Sequence, residues 1–250
     1  MKLFIAPGDQ PLLASRGLTD FDTLWALPLT AVDDANVGRG GWSQVFRLDV
    51  GAQGFYLKRQ ANYLIRSLRH PLGEPTVARE FRNIRRYEAL AVPALEASYF
   101  AERRQGGEWQ AMLLTRALDD WSELGAWLAQ WPVLTPARRA ALVQACGELA
   151  RKLHCAGLVH GCFYPKHIFL RAEGDGFEAR LIDLEKTRSA WQGQRDRVRD
   201  LEPLLRRASA WSEVDIRGFL AAYLQAAPTD TQITAWMEQL LVRRRHKETR

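Results

Sequence analysis

Apolar and polar positions follow two different periods along this chain. In the first half the pattern is mostly short and alternating. Val45-Phe46-Arg47-Leu48-Asp49-Val50 alternates with period two, and Gly54-Phe55-Tyr56-Leu57-Lys58-Arg59 reads as a second strand beside it. Residues 95–102 and 109–115 predict two more strands, with Gly106-Gly107 as the turn between them. One helix interrupts the strands. Val77, Glu80, Phe81, Ile84 and Tyr87 share a face at helical spacing, opening at Pro75 or Thr76. Ahead of these, Phe21, Leu24 and Trp25 form one face of a short helix that Pro28 opposes continuing. The second half reads as helical. Trp121–Trp131 predicts a short helix. A long one opens on Thr135-Pro136, buries Leu142, Cys146, Leu149 and Leu153, and stops at Gly157. Arg195–Arg207, Val214–Ala226 and Thr231–Arg245 predict three further helices. The resulting class is α+β. Residues 1–32 read as a leader packed on the first lobe, 33–118 as a small β-rich lobe with one main helix, and 119–250 as a mostly helical lobe.

Composition narrows this only slightly. At 250 residues and 47% hydrophobic content the chain can bury a sizeable core, which excludes global disorder. Three cysteines in a chain of this length do not make a disulfide framework, and no run approaches the length of a membrane span. Leu3-Phe4-Ile5-Ala6 is far too short for a signal segment. The expectation is a reduced, cytoplasmic protein. The net charge of +6, rich in arginine, suits an anionic partner or simply solubility. Basic residues at 61–73 (Arg66, Arg69, His70) and the tail Arg243-Arg244-Arg245-His246-Lys247 are candidates for contact with an anionic surface. A solvated helix end explains the tail equally simply.

The chemistry gathers in four places. Gly38-Arg39-Gly40-Gly41-Trp42-Ser43 precedes a strand, and Gly38, Gly40 and Ser43 occupy the positions of a loop whose backbone approaches phosphate. Lys58 follows on a strand about twenty residues beyond Gly38. Glu80 faces inward on its helix. An inward carboxylate needs a partner, and Lys58 or an arginine on its own helix supplies one. Finally, His160-Gly161-Cys162-Phe163-Tyr164-Pro165-Lys166-His167 leads into Ile168-Phe169-Leu170, and Leu181-Ile182-Asp183-Leu184-Glu185-Lys186 ends a buried strand on an acid. This is the order H-x-x…strand…D of protein-kinase-like two-lobed folds. Asp200 is a candidate support for the backbone of the first motif.

Gly161–Phe169 and Ile182–Lys186 resemble the lipopolysaccharide kinase family, namely the heptose kinases of the lipopolysaccharide core and, more closely, their InaA-like members. The similarity spans about residues 35–210 in motif order. It implies a protein-kinase-like fold, ATP as donor, Mg²⁺, and a sugar hydroxyl of the lipopolysaccharide core as acceptor. It also implies work at the cytoplasmic face of the inner membrane, with peripheral contact to its anionic surface and no nucleic acid partner. By the same resemblance Lys58 holds donor phosphates, Glu80 pairs with it, Asp183 binds metal, and His167 is the second metal ligand. Cys162 stands where active kinases carry the catalytic Asp. Lys166, four residues on, is a candidate to neutralise the transferred phosphoryl group, and Glu185 a candidate substitute carboxylate. The departure leaves a slow kinase, a regulatory nucleotide-binding scaffold in envelope stress, or a small-molecule phosphotransferase open. Two other readings compete for the same residues. Cys155, His160, Cys162 and His167 contain zinc-type ligands at unusual spacing, and Cys162 beside His160 and Lys166 has the neighbours of a reactive thiol.

Overall fold

The computed structural model describes residues 1–67 and 70–248, with side chains as far as Arg243. Arg69 of the basic 61–73 stretch and the tail side chains from Arg244 onward lie outside the described residues. The chain divides into two units, Met1–Glu88 with Leu95–Asp119, and Ala89–Ala94 with Asp120–Arg250.

The first unit begins with β1 (Lys2–Ile5), α1 (Gln10–Ala14) and α2 (Phe21–Ala26). Next come β2 (Asn36–Gly38), β3 (Gly41–Val50), β4 (Gln53–Ala61), and the two-residue strands β5 (Leu64–Ile65) and β6 (Glu74–Pro75). Helix α3 (Thr76–Ala89) and the hairpin β7 (Ala97–Gln105) and β8 (Glu108–Arg116) complete it. Among the described residues six strands form one antiparallel sheet in the order β1-β7-β8-β4-β3-β2. Alternation in β3 and β4 puts Phe46, Leu48, Phe55 and Leu57 into a common core.

The leader is more than a packed segment, because β1 pairs with β7 as an edge strand, Lys2 opposite Glu102. A lysine and three apolar residues make too short a pattern for this to be read from sequence. Leu13, Leu18, Phe21 and Leu24 fill the same core as the sheet. Three arginines tie the leader down. Arg59, buried beneath the ring of Phe46, donates to the carbonyls of Leu24 and Leu27, both at 2.7 Å. Arg116 holds Asp9 at 2.6 Å, and Arg103 holds Asp22 at 2.8 Å while lying over Phe21. Part of the arginine excess is therefore structural.

The second unit carries β9 (Ser122–Glu123), α4 (Leu124–Ala129), α5 (Pro136–Cys155) and β10 (Leu158–Val159). Then follow β11 (Ile168–Glu173), β12 (Gly176–Leu181), β13 (Arg188–Ser189), α6 (Gln194–Arg207), α7 (Glu213–Leu224) and α8 (Thr231–Glu248). The helix expected over Trp121–Trp131 is shorter, since Ser122 and Glu123 pair with β11 and Pro132 turns the end into a 3₁₀ segment. The Thr135 hydroxyl caps α5 by accepting from the Arg138 N–H, and Gly157 leaves the helix at φ 72°. Ala89–Ala94 belongs to this unit because Leu181 donates to the Pro93 carbonyl and Ala94 bridges Leu181. Gly147 lets α5 and α7 approach, as a Cβ there would lie 2.5 Å from the Phe219 carbonyl oxygen.

Candidate functional site

In the first unit, Gly38 and Gly41 pair across a two-residue turn formed by Arg39 (φ 55°) and Gly40 (φ 81°), the double left-handed geometry of a tight hairpin. Gly40 supplies that conformation without strain. Gly41 is sterically required as well, because a Cβ would sit 1.9 Å from the Ala61 carbonyl oxygen. Ser43 is buried and accepts from the Gln60 amide at 3.0 Å. The same amide donates to Thr76 at 2.6 Å, and the Gln60 carbonyl oxygen accepts from Val77 N–H. Gln60, which the sequence reading passed over, thus links the hairpin to the start of α3. Its signal was a polar residue in a run of otherwise buried strand positions.

Lys58 and Glu80 meet with Nζ and Oε2 2.6 Å apart. Glu80 is nearly closed off from solvent while Lys58 keeps a quarter of its side chain exposed. The inward carboxylate on α3 therefore finds its cation on β4. Removing the lysine would strand a buried charge, at a cost of up to ~3–5 kcal/mol.

In the second unit the loop 160–167 is held from beneath by Asp200 of α6. Asp200 is 4% exposed and accepts from His160 N–H at 2.7 Å and Gly161 N–H at 2.8 Å. It also faces His154 Nε2 at 3.2 Å, and the other ring nitrogen of His154 meets the Tyr223 hydroxyl at 2.9 Å. The Asp200 carboxylate accepts, so His154 carries its proton on Nε2 and its Nδ1 accepts from the Tyr223 hydroxyl, whose pKa burial raises well above its ordinary value. Gly161 sits at φ 79°, and a Cβ there would lie 2.7 Å from the Lys186 carbonyl oxygen.

Two histidines then fix the acid. His160 donates from Nε2 to the Ile182 carbonyl at 2.9 Å and accepts the Cys162 N–H on Nδ1. Burial holds its pKa below the usual imidazole range, the neutral form these bonds need. Ile182 N–H donates to the His167 carbonyl at 3.0 Å. Ile182 is clamped on both sides, and Asp183 follows in the left-handed region at φ 58° and ψ 60°. Asp tolerates that region better than most residues.

The Cys162 carbonyl can only accept, so His167 carries its proton on Nδ1, 2.8 Å away. Its Nε2 then presents a lone pair to Asp183 Oδ2 at 3.3 Å. Burial depresses the His167 pKa, outweighing the Cys162 carbonyl and Asp183, which raise it. Two facing acceptors are satisfied by a shared cation. Among the described residues no group of three or more His, Cys, Asp or Glu is arranged so that it could hold a metal ion. A metal would thus take two protein ligands and leave its other positions to water and phosphate, which fits Mg²⁺. The imidazole nitrogen also suits Mn²⁺.

Cys162 is 6% exposed. Lys186 lies beside it. Attraction to the Cys162 sulfur and a hydrogen bond to it hold the lysine above its ordinary pKa. Lys166 is exposed, like Lys186, but its charge acts on His167. The cation next to the substituted position is therefore Lys186, three residues beyond Asp183, a neighbour that sequence spacing alone does not reveal. The structure thus joins Lys58 to Glu80 in the first unit and gathers Cys162, His167 and Asp183 in the second.

The signature of the "Lipopolysaccharide kinase (Kdo/WaaP) family" matches residues 22–223. The chain belongs to that family. Protein InaA of Escherichia coli (strain K12) is 32% identical over 179 residues, covering 71% of this chain and 82% of that protein. The solved structure of WaaP in complex with acyl carrier protein superposes with a TM-score of 0.70 at 22% identity, over 96% of this chain and 97% of that one. This second likeness is one of fold, and the fold is kinase-like. The matched span contains both the loop at 160–167 and the acid at 183.

Proposed function

We propose that the chain binds ATP with a divalent cation and transfers its γ-phosphoryl group to a sugar hydroxyl of the lipopolysaccharide core, slowly because Cys162 replaces the base. What carries the reading is the facing acceptor pair, His167 Nε2 and Asp183 Oδ2, with Asp183 following directly on Ile182, which is held by the His160 ring and the His167 carbonyl. Asp183 and His167 would hold Mg²⁺ or Mn²⁺, which when bound neutralises phosphate charge. Lys58, positioned by Glu80, would hold donor phosphates, and the glycine hairpin would cover them.

In the reaction the acceptor hydroxyl oxygen bonds to the γ-phosphorus as the bond to the β-phosphate oxygen breaks, and ADP departs. The hydroxyl proton passes to solvent, since a thiol is not the carboxylate that kinases use there. Such a base contributes ~10²–10⁴-fold, whereas positioning and charge neutralisation do most of the work of phosphoryl transfer. Lys186 supplies positive charge beside Cys162. The acceptor is lipid-borne in this reading, so the chain works at an anionic membrane face. Among the described residues no helix is long and apolar enough to cross a membrane, so that contact would be peripheral.

A second reading, nucleotide binding without transfer, is favoured by the burial of Cys162 against Lys186. Calorimetric titration with ATP and Mg²⁺, then with Mn²⁺, followed by phosphate transfer to dephosphorylated lipopolysaccharide core, separates the two. Binding with transfer is expected. Binding with no transfer selects the scaffold, and no binding with either metal overturns both.

A further inference from the structure

The turn between β13 and α6 is anchored by a buried acid. The Asp196 side chain, 1% exposed, accepts from Arg188 at 2.8 and 3.1 Å and from the Gln192 N–H at 2.9 Å. Those bonds, with Arg188 first, hold its pKa far below the ordinary carboxylate range. A buried carboxylate is expensive unless satisfied, and here the bonds fix a surface turn. That turn presents Trp191, 82% exposed, although tryptophan is usually well buried.

Positive charge surrounds it. The Gln192 side chain accepts from Arg199 at 3.0 Å, tying α6 to the same turn. Arg195 lies one helical turn before Arg199. Gln194 meets Gln239 at 3.1 Å, which fastens α8 to α6, and Arg243 follows Gln239 by one turn. Arg243 senses both α6 arginines, and among the described residues its Nε has no acceptor. Val242, half exposed, flanks it on the helix. The nearby carboxylates offset this charge only in part: Asp196 is bound chiefly by Arg188 and lies 3.9 Å from Arg199, and Glu202 pairs with Arg206 while also attracting Arg243.

We propose that this face of α6 and α8 docks on an anionic phospholipid surface, with Trp191 among the headgroups and Arg195, Arg199 and Arg243 on lipid phosphates. An amphipathic indole and a half-exposed aliphatic side chain gain by entering a headgroup layer, and guanidinium matches phosphate geometry. Such a patch offers less to a nucleic acid backbone, which has no apolar layer for Trp191 and Val242. The inference names a surface for the membrane contact in the reading above. It stands on other residues, so vesicle binding and ATP binding fail independently.

The test is co-sedimentation with phosphatidylglycerol-containing vesicles against pure phosphatidylcholine vesicles, without nucleotide. The full chain binds the anionic vesicles only, and less as salt rises. Each arginine is worth ~1 kcal/mol near such a surface. Arg195→Ala, at an exposed position, therefore weakens partitioning about fivefold, and the triple Arg195→Ala, Arg199→Ala, Arg243→Ala variant about a hundredfold. Trp191→Phe removes most of the fluorescence quenching caused by brominated lipid. ATP titration and circular dichroism of Arg195→Ala match the parent. Equal binding to neutral vesicles, no binding, or unchanged partitioning of the triple variant overturns the proposal. So does displacement from anionic vesicles by RNA with the same variants losing RNA binding, which assigns the face to nucleic acid.

Discussion

Two carboxylates of the second unit are used in opposite ways. Asp200 is buried and spends its oxygens on His160 N–H, Gly161 N–H and His154. Asp183 is 43% exposed at its side chain, sits in a left-handed conformation, and faces another acceptor. The first has its partners within the protein; the second is positioned by its neighbours and, in the proposed reading, takes a cation. The difference teaches that the loop's frame and its chemistry are held by separate groups. The frame can persist while Cys162 occupies the position of the base.

The largest effect expected from this separation is on turnover. Cys162→Asp should raise the rate of transfer to dephosphorylated core by ~10²–10⁴-fold, with nucleotide affinity little changed. A variant that binds ATP as before yet gains nothing in steady-state kinetics would mean that the missing base is not the defect.

Next in size is the frame. Asp200→Ala leaves two backbone N–H groups and a histidine without their acceptor, and should cost ~3–5 kcal/mol in urea unfolding. If it unfolded like the parent, Asp200 would not hold the loop.

Asp183→Asn tests the other side. Asn tolerates the left-handed region, so the urea midpoint should hardly move, while metal-dependent ATP affinity falls ~10²-fold in calorimetry, on the scale of removing two or more kcal/mol of charge-assisted binding. Equal affinity in the variant would break the assignment of the cation to this acid.

The smallest effect concerns pH. The Asp196 pKa is lowered in the folded chain, so its contribution to stability is complete above the unfolded value of about 4 and is lost as pH falls through the lower folded value. Asp196→Asn should flatten the acid limb of the stability curve by a fraction of the parent's decline. An unchanged acid limb would show that the Arg188 pair does not contribute to it.

Much of this was legible in the chain. The alternation at 45–59, the helical stripe of Val77, Ile84 and Tyr87, and the cap at Thr135 follow local rules, and they appear where those rules place them. Glu80 was informative because a carboxylate on an apolar face requires a partner, and Lys58 is that partner. Asp200 under the loop followed from motif order. Other features depend on contacts distant in sequence. Lys2–Ile5 is a strand only because β7 lies beside it, and Gln60 is a junction only because three elements converge on it. Lys186, rather than Lys166, reaches Cys162 because the 3₁₀ turn after Asp183 brings it back over Gly161. No local pattern encodes such a return.

The edge strand has a consequence for synthesis. β1 leaves the ribosome well before its partner β7, which follows about a hundred residues later. Until then the leader's apolar face waits without its sheet, and the closing step carries the entropy of a long loop. The first unit therefore completes its sheet only after β7 is made, and β1 is the strand of that sheet left open to chaperones during the interval.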